Sequence, residues 1–89
     1  MLTYEDCLSQ AHLTDDAVAA IAEHEHLPAM TALELGESLV CGPEGCRVVT
    51  HMIRDDIRDA VRHGDRRHAR DLCGTLRRFA EAHPEVTRA

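Results

Sequence analysis

The sequence predicts an all-α domain: a small bundle of four to five helices whose last two form an antiparallel hairpin. The clearest observation is an apolar stripe at helical spacing within residues 48–61, formed by Val49, Ile53, Ile57, Ala60 and Val61. Polar and charged side chains cover the other side, so this helix is expected to bury one face only. No stretch shows the alternation of a strand. Eighty-nine residues suffice for one core, and we expect a single helical domain over residues 1–89.

Capping residues and a proline set the predicted helix boundaries in the first half of the chain. Thr3 can cap a first helix that runs to about Gln10, with Asp6 in a position like that of a capping box. Thr14 can cap a second helix through its side-chain oxygen. Pro28 ends that helix, because the residue before a proline disfavours the α conformation.

A third helix is predicted over residues 28–40, and it is apolar around most of its circumference. Such a helix is central in a bundle or lies at an interface between subunits. The large apolar residues that we assign to a subunit interface are Met30, Leu33, Leu35 and Leu39.

The second half predicts two longer helices joined by a short turn. Residues 41–46 form a turn that opens the fourth helix, which runs to His63. Gly64 is suited to a left-handed stop, and Asp65 to the N-cap of a fifth helix that ends after His83. Because so short a turn joins them, the two helices are expected to lie antiparallel.

Charge is unevenly distributed along this chain, whose formal net charge is −6. Residues 1–46 contain nine acids and no arginine, whereas residues 47–89 contain ten arginines and seven acids. Lysine is absent, and the guanidinium of arginine is a planar fork of donors suited to carboxylate or phosphate groups. Two interpretations stay open: the two halves face each other within one chain, or the acidic half of one copy contacts the arginine-rich half of another.

A cluster of arginines surrounds the predicted turn between the last two helices. We assign it to binding of a protein partner or an anion, through Arg58, Arg62, Arg66, Arg67 and Arg70. The alternative is a solvated face on which Asp–Arg pairs form along the helix. Interspersed aspartates, the lack of nearby aromatics and an acidic pI of about 5.5 argue against nucleic acid binding.

Four cysteines are the first candidates for redox or metal chemistry. Cys7 and Cys73 are expected to be buried free thiols. Cys41 and Cys46 flank a tight turn, and the dipole of the fourth helix is expected to lower the thiol pKa of Cys46. These two residues could form a reversible redox pair, or bind zinc together with His51, although no fourth ligand is apparent.

Seven histidines raise the question of a second kind of metal centre. Glu23 and His26 have the Glu-x-x-His spacing of di-iron bundles, and Glu34 and Glu37 follow on the next helix. Only one such pair occurs, and it points away from the apolar face of its helix. The spacing is therefore a weak signal for iron.

The expected function is binding rather than catalysis. No P-loop, dinucleotide fingerprint or nucleophile elbow occurs, which argues against an enzyme. No apolar run is long enough for a membrane span, and the first residues do not form a signal peptide, so we expect a soluble, cytoplasmic protein. We expect a protein-interaction or regulatory module that forms a homodimer and needs no cofactor. The alternative is a metal, haem or redox-responsive protein that uses Cys41, Cys46 and histidines.

Overall fold

Four α-helices make up the part of the chain that the structure, a computed structural model, describes, which is residues 13–83. The helices are α1 (Asp15–Glu25), α2 (Ala29–Leu39), α3 (Pro43–Arg62) and α4 (Arg66–Ala82), and no strand occurs among these residues. The all-α prediction is therefore confirmed. The helix predicted over residues 3–10, with Cys7, lies outside the described residues. No helix between residues 13 and 83 has the length and apolar character that crossing a membrane requires.

Local signals begin and end α1. The side chain of Thr14 accepts a hydrogen bond from the backbone N–H of Ala17, which confirms the predicted N-cap. The helix ends at Glu25 because His26 adopts a left-handed conformation, with φ 56° and ψ 49°. Its backbone N–H donates to the carbonyl of Ala22, which satisfies one of the last carbonyls of the helix.

Residues 63–65 connect α3 to α4 and confirm the predicted stop and cap. Gly64 has a φ of 74°, a conformation that glycine adopts without steric cost. Asp65 then accepts a hydrogen bond from the backbone N–H of His68 over 3.1 Å. Of the other helices, α3 is the one against which α4 packs most extensively.

The core lies where α1 and α3 meet the other helices, and each of these two contacts all three of the others. The five largest side chains that are completely or almost completely buried are Ile21, Leu33, Ile53, Val18 and Val49. Phe79 of α4 joins them. The predicted stripe of α3 is buried at Val49, Ile53 and Ala60, but Val61 is 64% exposed, so its assignment to the core is wrong. In the last turns of α3 the buried side runs through Asp56 and Ala60 instead.

The interface predicted on α2 divides into buried and exposed residues. Leu33 is only 1% exposed and belongs to the core of this chain, so its assignment to a subunit interface is wrong. Leu35 and Leu39 are half-buried against that core. Met30, which is 38% exposed, is the one residue of the four that offers a large apolar surface to solvent.

The first turn of α3 lies close to the end of α2. A Cβ added at Gly45 would lie 1.7 Å from the carbonyl oxygen of Leu39. Only a residue without a side chain allows this approach. Gly45 therefore determines how closely these two helices pack.

Candidate functional site

A polar cleft of about 550 Å³ lies where α1 ends, α3 ends and α4 begins. Its wall contains five carboxylates, four histidines and two arginines. The carboxylates are Glu23, Asp55, Asp56, Asp59 and Asp65, and the histidines are His24, His26, His63 and His68. Carboxylates outnumber arginines, so the cleft favours cations over anions.

Asp56 is the most unusual residue of this cleft. Its side chain is carried on the buried side of α3, and the residue is only 3% exposed. The Oδ2 atom is buried and has no hydrogen-bond partner among the described residues. Burial, followed by repulsion from Glu23, raises the pKa of Asp56 to about 7. This carboxyl group, whose Oδ2 lacks a hydrogen-bond partner, therefore changes between its neutral and charged forms near physiological pH.

His24 connects α1 to α3 at one side of the cleft. Its Nδ1 lies 2.7 Å from Oε2 of Glu25, and its Nε2 lies 3.1 Å from Oδ2 of Asp55. Burial by itself lowers the pKa of His24, but the hydrogen bonds to Asp55 and Glu25 outweigh burial and raise it above its ordinary value. A charged imidazolium donates from both nitrogens, which suits two carboxylate partners.

His68 connects α4 to α1 on the other side. Its Nε2 lies 2.6 Å from Oε1 of Glu23. The sequence spacing suggested that Glu23 acts together with His26; both residues line the cleft, but the close contact of Glu23 is with His68. Forty-five positions separate the two residues, so no local pattern indicates this pair.

The predicted metal ligands do not form a cluster. Glu34 and Glu37 are exposed on α2 and do not line the cleft, so the di-iron set is not brought together. His51 is exposed on α3. Among residues 13–83, no group of three or more histidine, cysteine, aspartate or glutamate side chains is arranged to hold a metal ion.

The cysteines also differ from their predicted roles. The Cys41 thiol is exposed and donates to the carbonyl of Glu37 over 3.2 Å, whereas Cys46 is buried and faces the carbonyl of Val40. Burial raises the pKa of the Cys46 thiol, so the expected activation by the helix dipole is wrong. Cys73 is exposed rather than buried. All three are free thiols.

The arginine cluster separates into paired and unpaired members. Arg58 lies 3.5 Å from Asp55, and Arg62 lies 3.7 Å from Asp59, both at a spacing of three residues. The other three arginines are exposed on the first turns of α4 and form no ion pair with any described residue: Arg66, Arg67 and Arg70. The alternative interpretation, a solvated face with Asp–Arg pairs along the helix, therefore fits the two arginines of α3. The three arginines of α4 form the unpaired surface.

Sequence reasoning missed Asp56, although a signal for it exists. Asp56 follows Ile53 by three positions and precedes Ala60 by four, so it lies on the apolar side of α3. An acid within an apolar stripe is costly to bury unless it is paired, which marks it for attention. The contacts of His24 and His68 have no such signal, because they depend on how the helices pack.

Comparison with known proteins yields no match: no family model fits this chain, and neither the curated proteins nor the solved structures include one that is significantly similar. The fold and the cleft therefore define the class of this protein as a small all-α domain with an acidic, histidine-lined cleft.

Proposed function

We propose that this chain is a small, non-catalytic protein-interaction module that associates with a second copy of itself. The observation that carries the proposal is the proximity of two complementary surfaces. Arg66, Arg67 and Arg70 are unpaired, and the helical turn that carries the first two begins at the rim of the carboxylate-lined cleft. We further infer that the four helices form a bundle in which α3 and α4 are an antiparallel hairpin.

The position of these surfaces suits a two-fold symmetric dimer. In such a dimer the same patch of each copy contacts the other, so the patch must complement itself. The end of the domain where α3 meets α4 carries both an acidic cleft and free arginines, and each copy can therefore offer arginines to the cleft of the other. Complementary charge of this kind fixes orientation more than it supplies affinity.

An apolar residue at the same end supports the proposal. Val61 is 64% exposed in the last turn of α3, directly before Arg62 of the cleft wall. Burying such a side chain against a partner stabilises a complex by roughly 1 to 2 kcal/mol. Burial of Val61 would thus add affinity to a dimer whose orientation the charged groups fix.

Sedimentation equilibrium of the untagged protein tests this proposal. We expect a dimer at tens of micromolar protein in about 0.05 M salt, and weaker association in about 0.5 M salt because salt screens exposed charges. The double variant Arg66→Glu/Arg67→Glu should be monomeric. The matched control is Arg47→Glu/Arg77→Glu, which makes the same change of charge at exposed residues that do not line the cleft.

A monomer at both salt concentrations contradicts the proposal. Equal dissociation of the control and the Arg66/Arg67 variant also contradicts it, because net charge rather than this surface would then decide assembly. Circular dichroism of each variant checks that the helices remain folded.

A further inference from the structure

One carboxylate of the cleft, that of Asp56, has an oxygen without a hydrogen-bond partner among the described residues. Oδ2 of Asp56 is buried without a hydrogen bond, and the residue lies in the wall of the cleft. The other acids nearby already have partners: Glu23 contacts His68, Asp55 contacts His24 and Arg58, and Asp59 contacts Arg62. The unmet requirement is therefore for one positively charged donor at Asp56.

We propose that the cleft around Asp56 is a guanidinium-binding site, and that its occupant is an arginine side chain from the first turn of α4 of a second copy. The inference deepens the proposed function and rests on it, since the partner copy supplies the ligand. Arg66 and Arg67 are the candidate side chains, because both are exposed and unpaired next to the cleft.

The chemistry favours a guanidinium over a metal ion. Transition metals need several ligands that converge, and no such group exists among residues 13–83. A guanidinium instead binds a single carboxylate through two parallel hydrogen bonds. The sequence contains no lysine, so arginine is the basic side chain that a second copy can contribute at every pH.

The size of the cleft is compatible with this occupant. Pockets that bind small ligands are commonly about 300 to 1,000 Å³, and the cleft measures about 550 Å³. Asp56 lies in the wall of the cleft, so a guanidinium in the cleft can reach its carboxylate. The ion pairs between Arg58 and Asp55 and between Arg62 and Asp59 lie on exposed side chains and can yield to the entering group.

Binding of a cation at Asp56 is expected to depend on pH. The charged groups around Asp56 come from every element of the cleft: Glu23, His24 and His26 from α1, Asp55, Arg58, Asp59 and Arg62 from α3, His63 and Asp65 from the connection, and His68 from α4. A guanidinium favours the ionised carboxylate, and the pKa of Asp56 is about 7 without it. Protonated His24 opposes a cation at low pH, so both effects strengthen binding as pH rises.

Two measurements test the site. Dimer dissociation constants are compared at pH 6 and pH 8 for the wild type, Asp56→Asn and the control Glu34→Gln, which removes an exposed carboxylate that does not line the cleft. Nα-acetyl-arginine amide is then titrated against each protein by heteronuclear NMR and calorimetry. Nα-acetyl-citrulline amide serves as the uncharged ligand of nearly the same shape.

The inference is supported by four results obtained together. The wild-type dimer is about 100-fold tighter at pH 8 than at pH 6, because a symmetric dimer has two Asp56 carboxyls and ionisation of each, with a pKa near 7, contributes about tenfold. Asp56→Asn weakens it about 30-fold or more at pH 8, while Glu34→Gln changes it by less than about threefold. The arginine amide competes with dimer formation, and the citrulline amide does not.

The remaining outcomes separate this inference from the proposed function. A dimer that Asp56→Asn leaves intact but Arg66→Glu/Arg67→Glu dissociates overturns the guanidinium site and leaves the interaction module standing. A wild-type monomer that binds the arginine amide through Asp56 overturns self-association and keeps the site, whose arginine then comes from a different protein. A monomer that binds neither amide overturns both.

Discussion

Arg78 of α4 donates a hydrogen bond from Nε to Oδ2 of Asp16 over 2.9 Å, which joins the last helix to the first turn of α1. A second guanidinium nitrogen contacts the same oxygen, and the hydroxyl of Thr75 donates to it over 3.0 Å. This contact joins the acidic and the arginine-rich halves within one chain. The interpretation that the two halves face each other therefore holds at Asp16, while Arg66 and Arg67 stay available for a partner.

Replacing Arg78 by Met is expected to destabilise the domain by about 0.5 to 1 kcal/mol. The loss is modest because the guanidinium is half exposed and solvent screens the pair. Urea unfolding, monitored by circular dichroism, measures this loss of unfolding free energy. Arg77→Met, at an exposed position of the same helix, is the control. Equal losses in both variants would show that Arg78 acts only through helix propensity.

The Arg78→Met variant is also expected to change how the unfolding free energy depends on pH in the acid range. Burial by itself raises the pKa of Asp16, but hydrogen bonds from Thr14, Arg78 and Thr75 outweigh burial and lower it. A carboxyl with a lowered pKa in the folded state stabilises the fold above its unfolded pKa of about 3.8, and this contribution is lost as pH falls through the folded pKa. Wild type should therefore lose more stability than Arg78→Met between about pH 5 and pH 3.

Asp56 is expected to destabilise the monomer as pH rises. Its pKa is raised from 3.8 to about 7, so the neutral form is favoured in the fold, and stability falls as pH rises from about 4 to about 7. The difference between the ends of this range is on the order of 4 kcal/mol. Asp56→Asn should remove most of this pH dependence of the unfolding free energy, measured on protein too dilute to dimerise. The control Asp71→Asn, at an exposed position, should keep the wild-type profile.

His24 should account for the pH dependence that remains in Asp56→Asn near neutrality. Its pKa is raised in the fold, so it contributes stability below its unfolded pKa of about 6.5, and that contribution is lost as pH rises through the folded pKa. Adding His24→Gln to Asp56→Asn should make the unfolding free energy nearly independent of pH between pH 6 and pH 8. An unchanged slope in the double variant would assign the effect to another group.

Gly45→Ala is expected to cost about 3 kcal/mol or more, because the new methyl group meets the backbone of Leu39 and the start of α3 must shift. Gly42→Ala is the matched control: no atom lies within 4 Å of a Cβ at that position, and a smaller cost of about 1 kcal/mol is expected because Gly42 is the N-cap of α3, where alanine is less favoured than glycine. Thermal unfolding of the two variants provides the comparison. Similar melting temperatures would contradict the close approach of α2 and α3.

The three described thiols should differ in reactivity. In a Cys7→Ser background, Cys41 and Cys73 should react with a thiol reagent within the folded protein, because both are exposed. Cys46 should react only on unfolding, since it is buried and its pKa is raised. Intact mass spectrometry after brief alkylation should show two modifications. Three would indicate that Cys46 is accessible and would restore it as a redox candidate.

Local sequence signals predicted the helix boundaries that depend on neighbouring residues. The cap at Thr14, the stop at Gly64 and the cap at Asp65 each involve a hydrogen bond or backbone conformation within four positions along the chain. The apolar stripe of α3 likewise follows from helical spacing. Its two errors, Val61 and the omission of Asp56, occur in the last turns, where the packing of α1 and α4 decides which side is covered.

The sequence by itself determined that the described residues are all-α, where several of their helices begin and end, and that acids and arginines are segregated along the chain; the end of α1 at His26 was not predicted. Only the tertiary structure decided the site. The contacts of Asp16 with Arg78, of Glu23 with His68 and of His24 with Asp55 span 62, 45 and 31 positions. Such pairs depend on the crossing angle and register of packed helices, which side-chain packing sets and no local pattern encodes. The same packing buries Oδ2 of Asp56 without a hydrogen-bond partner among the described residues.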